Sequence, residues 1–202
     1  MKRHSPAVFK RLYDGATVLR SRDLEQRGLT RAQIQQASND GDLERVAHGL
    51  YALPVGVKPS EHHSLVQVTL RVPSAAICLL SALRFHNLTT QNPHEVWIAI
   101  DPKGRKPVAG SPPLRVVRYG PQNFDLGLAE HRVEGTRIRV YSVARTIVDL
   151  FRYRNKIGLE VALEALKEGW RSRRFSLAEI NRIAVPCRMQ RVMQPYLESL
   201  IT

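Results

Sequence analysis

Cysteine is almost absent from this chain. Cys78 and Cys187 are the two in 202 residues, too few for a disulfide framework or for a zinc site held by four thiolates. Cys78 reads as a small core residue, and Cys187 has no thiol partner nearby in sequence. Long apolar runs are missing too. The best stretch, Val72 to Leu83, is broken by Pro73, Ser74 and Ser81. It is about a dozen residues long, where a bilayer span needs roughly 20. The start, Met1-Lys2-Arg3-His4-Ser5-Pro6, is basic and lacks the apolar segment of a secretory signal. The expected setting is a reducing cytoplasm.

Several chemistries lack their residues. No Gly-x-x-x-x-Gly-Lys-Ser/Thr loop occurs, so no P-loop nucleotide site is expected. Gly110-Ser111 is not followed by the paired carboxylates with which a nucleotidyltransferase holds magnesium. A metal-dependent nuclease needs clustered acids and a lysine to hold metal and activate water. Asp149 has no acidic-x-Lys nearby, and Glu164-Ala165-Leu166-Lys167 has the wrong spacing. His62 and His63 are adjacent and point different ways on a helix. The chain is expected to be no enzyme, with no cofactor and no metal site.

Carboxylates are scarce against what opposes them. Asp and Glu number 18 and Lys and Arg 31, a net charge of +13. The surplus is +3 in residues 1–55 and +5 in each of 56–140 and 141–202, so it forms no detachable tail. Such a balance points to polyanionic partners, DNA or RNA first. Apolar residues at 43% and charged residues at 24% are ordinary globular usage.

Local signals give the order of elements. Ser5-Pro6 suits the start of a helix with Val8, Phe9 and Leu12 on one face, and Asp14-Gly15 stops it. Val18-Leu19 can lie extended. Ser21 can cap a short helix through Arg27 that buries Leu24, and Gly28 ends it. Thr30-Arg31-Ala32-Gln33 reads as a capping box for a third helix to about Asn39. After Asp40-Gly41-Asp42, Leu43 to Ala47 and Leu50 to Leu53 read as short strands around His48-Gly49. Three short helices followed by a tight ribbon is winged helix-turn-helix order.

In the third helix Ile34 and Ala37 fall on one side, and Leu29 assists just before it. Arg31, Gln35, Gln36 and Asn39 point away. Arginine can bond guanine O6 and N7, and Gln or Asn adenine N6 and N7. Thr30 and the helix N-terminus can approach a phosphate. Arg45 and His48 lie on or near the ribbon, and Ser21 and Arg22 at the second helix complete the candidate DNA-facing set. The alternative is a merely solvated polar face.

Pro54 to Pro59 reads as a linker between residues 1–55 and a larger mixed α/β C-terminal domain, residues 60–202. The fold class is α+β. In the second part Ser60 to Arg71 reads as a helix, and Pro73-Ser74 opens another with Ile77, Leu80, Leu83 and Phe85. Glu95 to Ile100, Leu114 to Tyr119 and Thr136 to Tyr141 are strand-like. Lys103-Gly104-Arg105-Lys106-Pro107 is a basic turn. Val143 to Tyr153 and Gly158 to Trp170 are helical. Ser176 to Glu179 is a capping box for a helix to about Ala184, and a last helix contains Met193, Leu197 and Leu200. Arg145 and Asp149, four apart, can pair; as an exposed pair they are worth a few tenths of a kcal/mol. They serve the fold or touch a partner. Arg171, Arg173, Arg174, Arg188 and Arg191 form a second basic concentration. It extends a DNA footprint, meets an acidic protein surface, or is solvated.

Four segments carry a resemblance: Leu43-Glu44-Arg45-Val46-Ala47-His48-Gly49-Leu50-Tyr51, Ser81-Ala82-Leu83, His86-Asn87-Leu88-Thr89, and Ser142-Val143-Ala144-Arg145-Thr146-Ile147-Val148-Asp149-Leu150. Taken in this order, nearly the whole chain resembles the AbiEi-type antitoxins of type IV toxin–antitoxin systems, first known from phage abortive infection. The resemblance implies an N-terminal winged helix that binds inverted repeats in its own promoter and represses the operon. It implies a C-terminal domain that counteracts a nucleotidyltransferase-fold toxin without a stable complex. Thr30, Arg31, Gln35 and Arg45 would face DNA, Gly49 would turn the wing, and Tyr51 would pack it. Arg145, Thr146 and Asp149 mark the C-terminal motif. His48 stands where Lys or Arg is common, and His86-Asn87 replaces the usual His-Gly. Two other readings remain: a stand-alone regulator whose C-terminal domain binds a ligand or oligomerises, and a metal-dependent nuclease.

Overall fold

The computed structural model describes residues 6–54 and 59–200, in a mixed α+β architecture. The chain forms two compact units. The first comprises residues 1–73, 108–112 and 131–138, and the second 74–107, 113–130 and 139–202. The compact units therefore do not follow a cut at 55–60. Within the expected linker, residues 55–58 lie outside the described residues, as does the Ser5 of the first helix start.

In the first unit α1 (Pro6–Tyr13) ends where Asp14 and Gly15 both take positive φ, 43° and 78°. β1 (Val18–Arg20) runs straight into α2 (Ser21–Gln26). Ser21 is therefore the first helical residue and not the cap. The cap is Arg20, whose backbone is extended; the Asp23 carboxylate accepts its amide at 3.3 Å and its guanidinium at 2.8 Å. α3 (Arg31–Asn39) has the expected capping box: Thr30 accepts the Gln33 amide at 3.2 Å, and Gln33 accepts the Thr30 amide at 2.8 Å. β2 (Glu44–Ala47) and β3 (Leu50–Ala52) follow, and β3 lies antiparallel between β1 and β2. The expected two-stranded ribbon is thus a three-stranded sheet. Phe9, Tyr13, Leu19, Leu24, Leu29, Ile34, Ala37, Leu43 and Tyr51 form one buried cluster. α4 (His63–Arg71) packs on β1 and β3, and starts three residues later than Ser60.

The second unit opens differently from expectation. Pro73-Ser74 starts no helix. Ala75 leads into β4 (Ala76–Ile77), and α5 (Leu79–Phe85) begins only after Cys78. The helical spacing of Ile77 and Leu80 gives way because Ile77 is claimed on both sides, by Ile98 and by Val140. The mixed sheet runs in the order β6 (Leu114–Arg118), β5 (Val96–Ile100), β4, β8 (Thr136–Tyr141), β7 (Leu128–Val133). A short α6 (Pro121–Phe124) precedes β7. β7 escapes the sequence reading because Glu130, His131 and Arg132 interrupt its apolar residues. The end of the β7–β8 hairpin, residues 131–138, is counted with the first unit.

Helices then cover the core: α7 (Val143–Arg152), the short α8 (Arg154–Ile157), α9 (Leu159–Arg171), α10 (Leu177–Ala184) and α11 (Gln190–Glu198). α7 is buried on every side except at Arg152. It is wrapped by α5, α9, α10 and α11, so its motif residues are interior. Among the described residues no helix is long and apolar enough to cross a membrane.

Candidate nucleic-acid interface

α3 carries the sharpest division of faces in the first unit. Ile34 and Ala37 are 2% and 4% exposed and seat the helix on the core, with Leu29 at 7% just before it. Arg31, Gln35, Gln36 and Asn39 are all exposed on the other side. The 3.6-residue repeat alone requires this split once Ile34 and Ala37 are buried. The side chain of Arg31 is 88% exposed. Its guanidinium reaches back to the Glu25 carboxylate at 2.8 Å, a bond that raises its pKa further. Glu25 precedes α3 and has no periodic relation to Arg31, so the pair is not legible from spacing.

The amides of the face are preordered in rows. Gln35 Nε2 donates to Asn39 Oδ1 at 3.2 Å, and Gln36 Nε2 donates to Asp40 Oδ1 at 2.8 Å. Each amide nitrogen keeps a second proton and each glutamine its carbonyl oxygen. The forks are thus held outward with free donor and acceptor sites. Thr30 is exposed, but its hydroxyl is engaged with Gln33. What it adds to the face is the shape of the helix start.

The β2–β3 turn lies beside α2. The Ser21 amide donates to the Gly49 carbonyl at 2.9 Å, which brings Ser21 and Arg22 close to this turn. Gly49 has φ +69°, a value side-chain-bearing residues rarely adopt. Arg45 and His48 are exposed, and Arg45 Nη2 lies 3.0 Å from His48 Nδ1. Tyr51 is buried, and its carbonyl accepts the Tyr13 hydroxyl at 2.7 Å. Burial raises the Tyr13 pKa well above the ordinary tyrosine value, so the hydroxyl stays a donor.

The C-terminal motif is a different kind of site. Arg145, Thr146 and Asp149 are each 0% exposed. The expected exposed pair is a buried one: Arg145 Nε donates to Asp149 Oδ2 at 2.8 Å. Arg145 Nη1 also donates to the carbonyls of Asn123 and Leu126, at 2.6 and 2.8 Å. Its guanidinium stands over the rings of Tyr119 and Tyr141, 4.9 and 4.7 Å from their centres. Burial pushes the Asp149 carboxyl up, and the adjacent guanidinium opposes that. In this position the motif presents nothing to a partner. The thiols of Cys78 and Cys187 are buried and pushed above the ordinary cysteine range by that burial, so neither is an activated nucleophile.

The backbone at His86 and Asn87 bears on where the sequence departs from the pattern it resembles. The backbone at Asn87 has φ +57°, which is why glycine suits that position and why asparagine, the best side-chain-bearing substitute, is tolerated. His86 Nε2 lies 2.7 Å from the Tyr141 carbonyl. Arg171, Arg173, Arg174, Arg188 and Arg191 are all exposed. Among the described residues no group of three or more His, Cys, Asp or Glu could hold a metal ion.

The fold and this site define a basic α+β protein with an exposed arginine-and-amide helix face. That architecture has a solved counterpart. The RV2827C protein from Mycobacterium tuberculosis is similar over 91% of this chain and 73% of that one, with a TM-score of 0.60 and 18% identity, a likeness of fold. No curated protein matches the chain. Residues 12–54, which span β1, α2, α3, β2 and β3, match the family described as the AbiEi antitoxin transcriptional regulators.

Proposed function

We propose that the chain is a DNA-binding autorepressor that also serves as the antitoxin of a type IV toxin–antitoxin pair. Its first unit acts as a winged helix-turn-helix. α3 lies in the major groove, with Arg31 and Gln35 reading base edges and Gln36 and Asn39 beside them. The β2–β3 turn is the wing, and Arg45, His48, Ser21 and Arg22 meet the sugar–phosphate backbone. The observation that carries this reading is the outward polar face of α3 within a segment that matches a family of transcriptional regulators.

Binding divides into two contributions. Scattered arginines and lysines neutralise phosphates and give affinity without sequence preference. The forks on α3 give discrimination, at about 1–3 kcal/mol for each good bidentate pair. To engage an adenine in bidentate fashion, Gln35 gives up its bond to Asn39. Arg31 likewise leaves Glu25 for a guanine.

The test is a gel-shift titration of a duplex from the protein's own promoter against an unrelated duplex of equal length. Arg31→Ala and Gln35→Ala are expected to weaken promoter binding about ten-fold or more and unrelated-duplex binding much less. Equal losses on both duplexes would remove base reading from these positions.

The family match ends at residue 54, and this favours keeping a second reading: a regulator whose remaining residues bind a ligand or oligomerise. Co-expression with a neighbouring nucleotidyltransferase-fold toxin separates the two. The antitoxin rescues growth, and rescue persists in Arg31→Ala. A regulator of the second kind leaves growth arrested.

A further inference from the structure

The basic turn after β5 plays no part in base reading by α3. Lys103-Gly104-Arg105-Lys106 stands between Pro102 and Pro107, residues without an amide N–H that cannot extend a strand ladder. Between Val96 and Arg118 the sequence holds one carboxylate, Asp101, against Lys103, Arg105, Lys106, Arg115 and Arg118. Residues 101–107 lie wholly within the second unit, as do β5 and β6.

The turn has a fixed shape. The Gly104 amide donates to the Asp101 carbonyl at 2.9 Å, closing a four-residue bend. Asp101 Oδ1 accepts the Lys103 amide at 2.8 Å, the local bond that suits aspartate to turns. A Cβ at Gly104 would stand 3.0 Å from the Asp101 carbonyl oxygen, so a side chain there would push the bend open. Strand register sets Arg118, the last residue of β6, beside Ile100, the last of β5. From there Arg118 Nη1 donates to the carbonyls of Asp101, Pro102 and Gly104, at 3.1, 2.8 and 2.8 Å. One guanidinium carried on a strand thus holds the bend from inside.

What points outward is cationic. Lys103, Arg105 and Lys106 are exposed, and their side chains enter no hydrogen bond or ion pair among the described residues. Asp101 and Arg118 are both engaged with the backbone of the turn. A narrow bend with three solvated cations matches one feature of duplex DNA. The minor groove is about 6 Å wide and 7.5 Å deep, which excludes a helix and admits such a bend with its arginine and lysine side chains. Over A·T runs the groove is narrowest and its potential most negative.

We propose that this turn enters the minor groove of A·T-rich duplex DNA, with Arg105 in the groove and Lys103 and Lys106 at its phosphate walls. Arginine and lysine in that groove sense its width and the absence of the guanine N2 amine. Because the bend is formed before binding, little backbone order is lost on insertion. The proposal rests on the reading that the chain binds duplex DNA, and not on α3 reading bases.

Fluorescence anisotropy of the full chain with three labelled duplexes of equal length, built from A·T, inosine·C or G·C pairs, tests it. An inosine·C pair lacks the guanine N2 amine, so its minor groove presents the A·T pattern while its major groove presents that of G·C. Affinity for the A·T and inosine·C duplexes is expected to exceed that for G·C by about ten-fold. K103Q/R105Q/K106Q, which leaves Arg118 in place, should level the three affinities, and Arg105→Gln alone should remove most of the preference. R173Q/R188Q/R191Q removes the same charge from exposed residues elsewhere in the second unit. It should weaken all three complexes alike and keep their ratio, and R31A/Q35A should keep the ratio too. Equal affinities in the unaltered chain, inosine·C behaving as G·C, a ratio unchanged in K103Q/R105Q/K106Q, or a ratio lost in either control would overturn the role of the turn while DNA binding stands. Absence of binding to all three duplexes would overturn the DNA-binding reading, and this proposal with it.

Discussion

Arg145 heads the fully buried side chains by volume. A buried guanidinium is tolerable only when its charge and its protons are met. Asp149 meets the charge, the carbonyls of Asn123 in α6 and Leu126 after it take protons of Nη1, and two tyrosine rings cover the face, while Nη2 is buried with no hydrogen-bond partner among the described residues. The residue therefore ties α7 to α6 and to the loop between α6 and β7. Gly127 in that loop shows how close the approach is. Its φ is +72°, and a Cβ there would stand 2.7 Å from the Arg145 Cβ. Removing one partner leaves an uncompensated charge in the core. Arg145→Met or Asp149→Leu is expected to cost about 3–5 kcal/mol in chemical denaturation. The double variant should recover part of that loss, and not all, because the Asn123 and Leu126 carbonyls remain without Arg145. A single variant within about 1 kcal/mol of wild type would mean that the pair is not buried as described. The four-residue spacing of Arg145 and Asp149 is plain in the sequence. Their burial is not, since it depends on α5, α9, α10 and α11 closing round α7.

At the scale of elements, the β7–β8 turn does more than reverse the chain. Glu134 gathers Thr17 before β1, Ser60 and His63 at the start of α4, and its own hairpin. Burial alone would raise its pKa. The hydrogen bonds from Ser60, Thr17 and His63 outweigh burial and hold it below the usual glutamate range. A carboxyl depressed in the folded state stabilises above its unfolded pKa, near 4.5, and loses that contribution as pH falls through the folded value. Stability of the chain is expected to drop on acidification below about pH 5, and Glu134→Gln should flatten that part of the profile. An unchanged slope in denaturation midpoints between pH 5 and 3 would show that Glu134 has no depressed pKa. α3 illustrates the opposite kind of legibility. Its cap, buried pair and exposed face follow from nine residues and one preceding threonine. β4 and β7 do not announce themselves in this way. A two-residue strand has no period to read, and β7 is crossed by polar residues.

For the whole molecule, the decisive quantity is the net charge of +13. Each phosphate neutralised releases counterions, so affinity for duplex falls linearly with salt on logarithmic axes. A protein making six to ten phosphate contacts loses about 10³–10⁵ in affinity between 50 and 200 mM salt. This chain is expected to lose at least about 100-fold over that interval, on promoter and unrelated duplex alike. A flat dependence in fluorescence anisotropy would reject the electrostatic account. The contrast between this shared salt response and the sequence-selective loss in Arg31→Ala separates phosphate contacts from base contacts.

Composition and local pattern suffice for the basic balance of charge, the helix order of the first unit, the capping boxes at Thr30 and Ser176, and the polar face of α3. Each of these rests on hydrogen bonds or periodicity spanning a few neighbouring residues. Packing between distant segments is what makes Arg145 and Asp149 interior, draws Ile77 into a strand, and brings Glu134 to Thr17, Ser60 and His63. Those outcomes depend on desolvation and strand pairing between residues distant in the chain, which no local window contains.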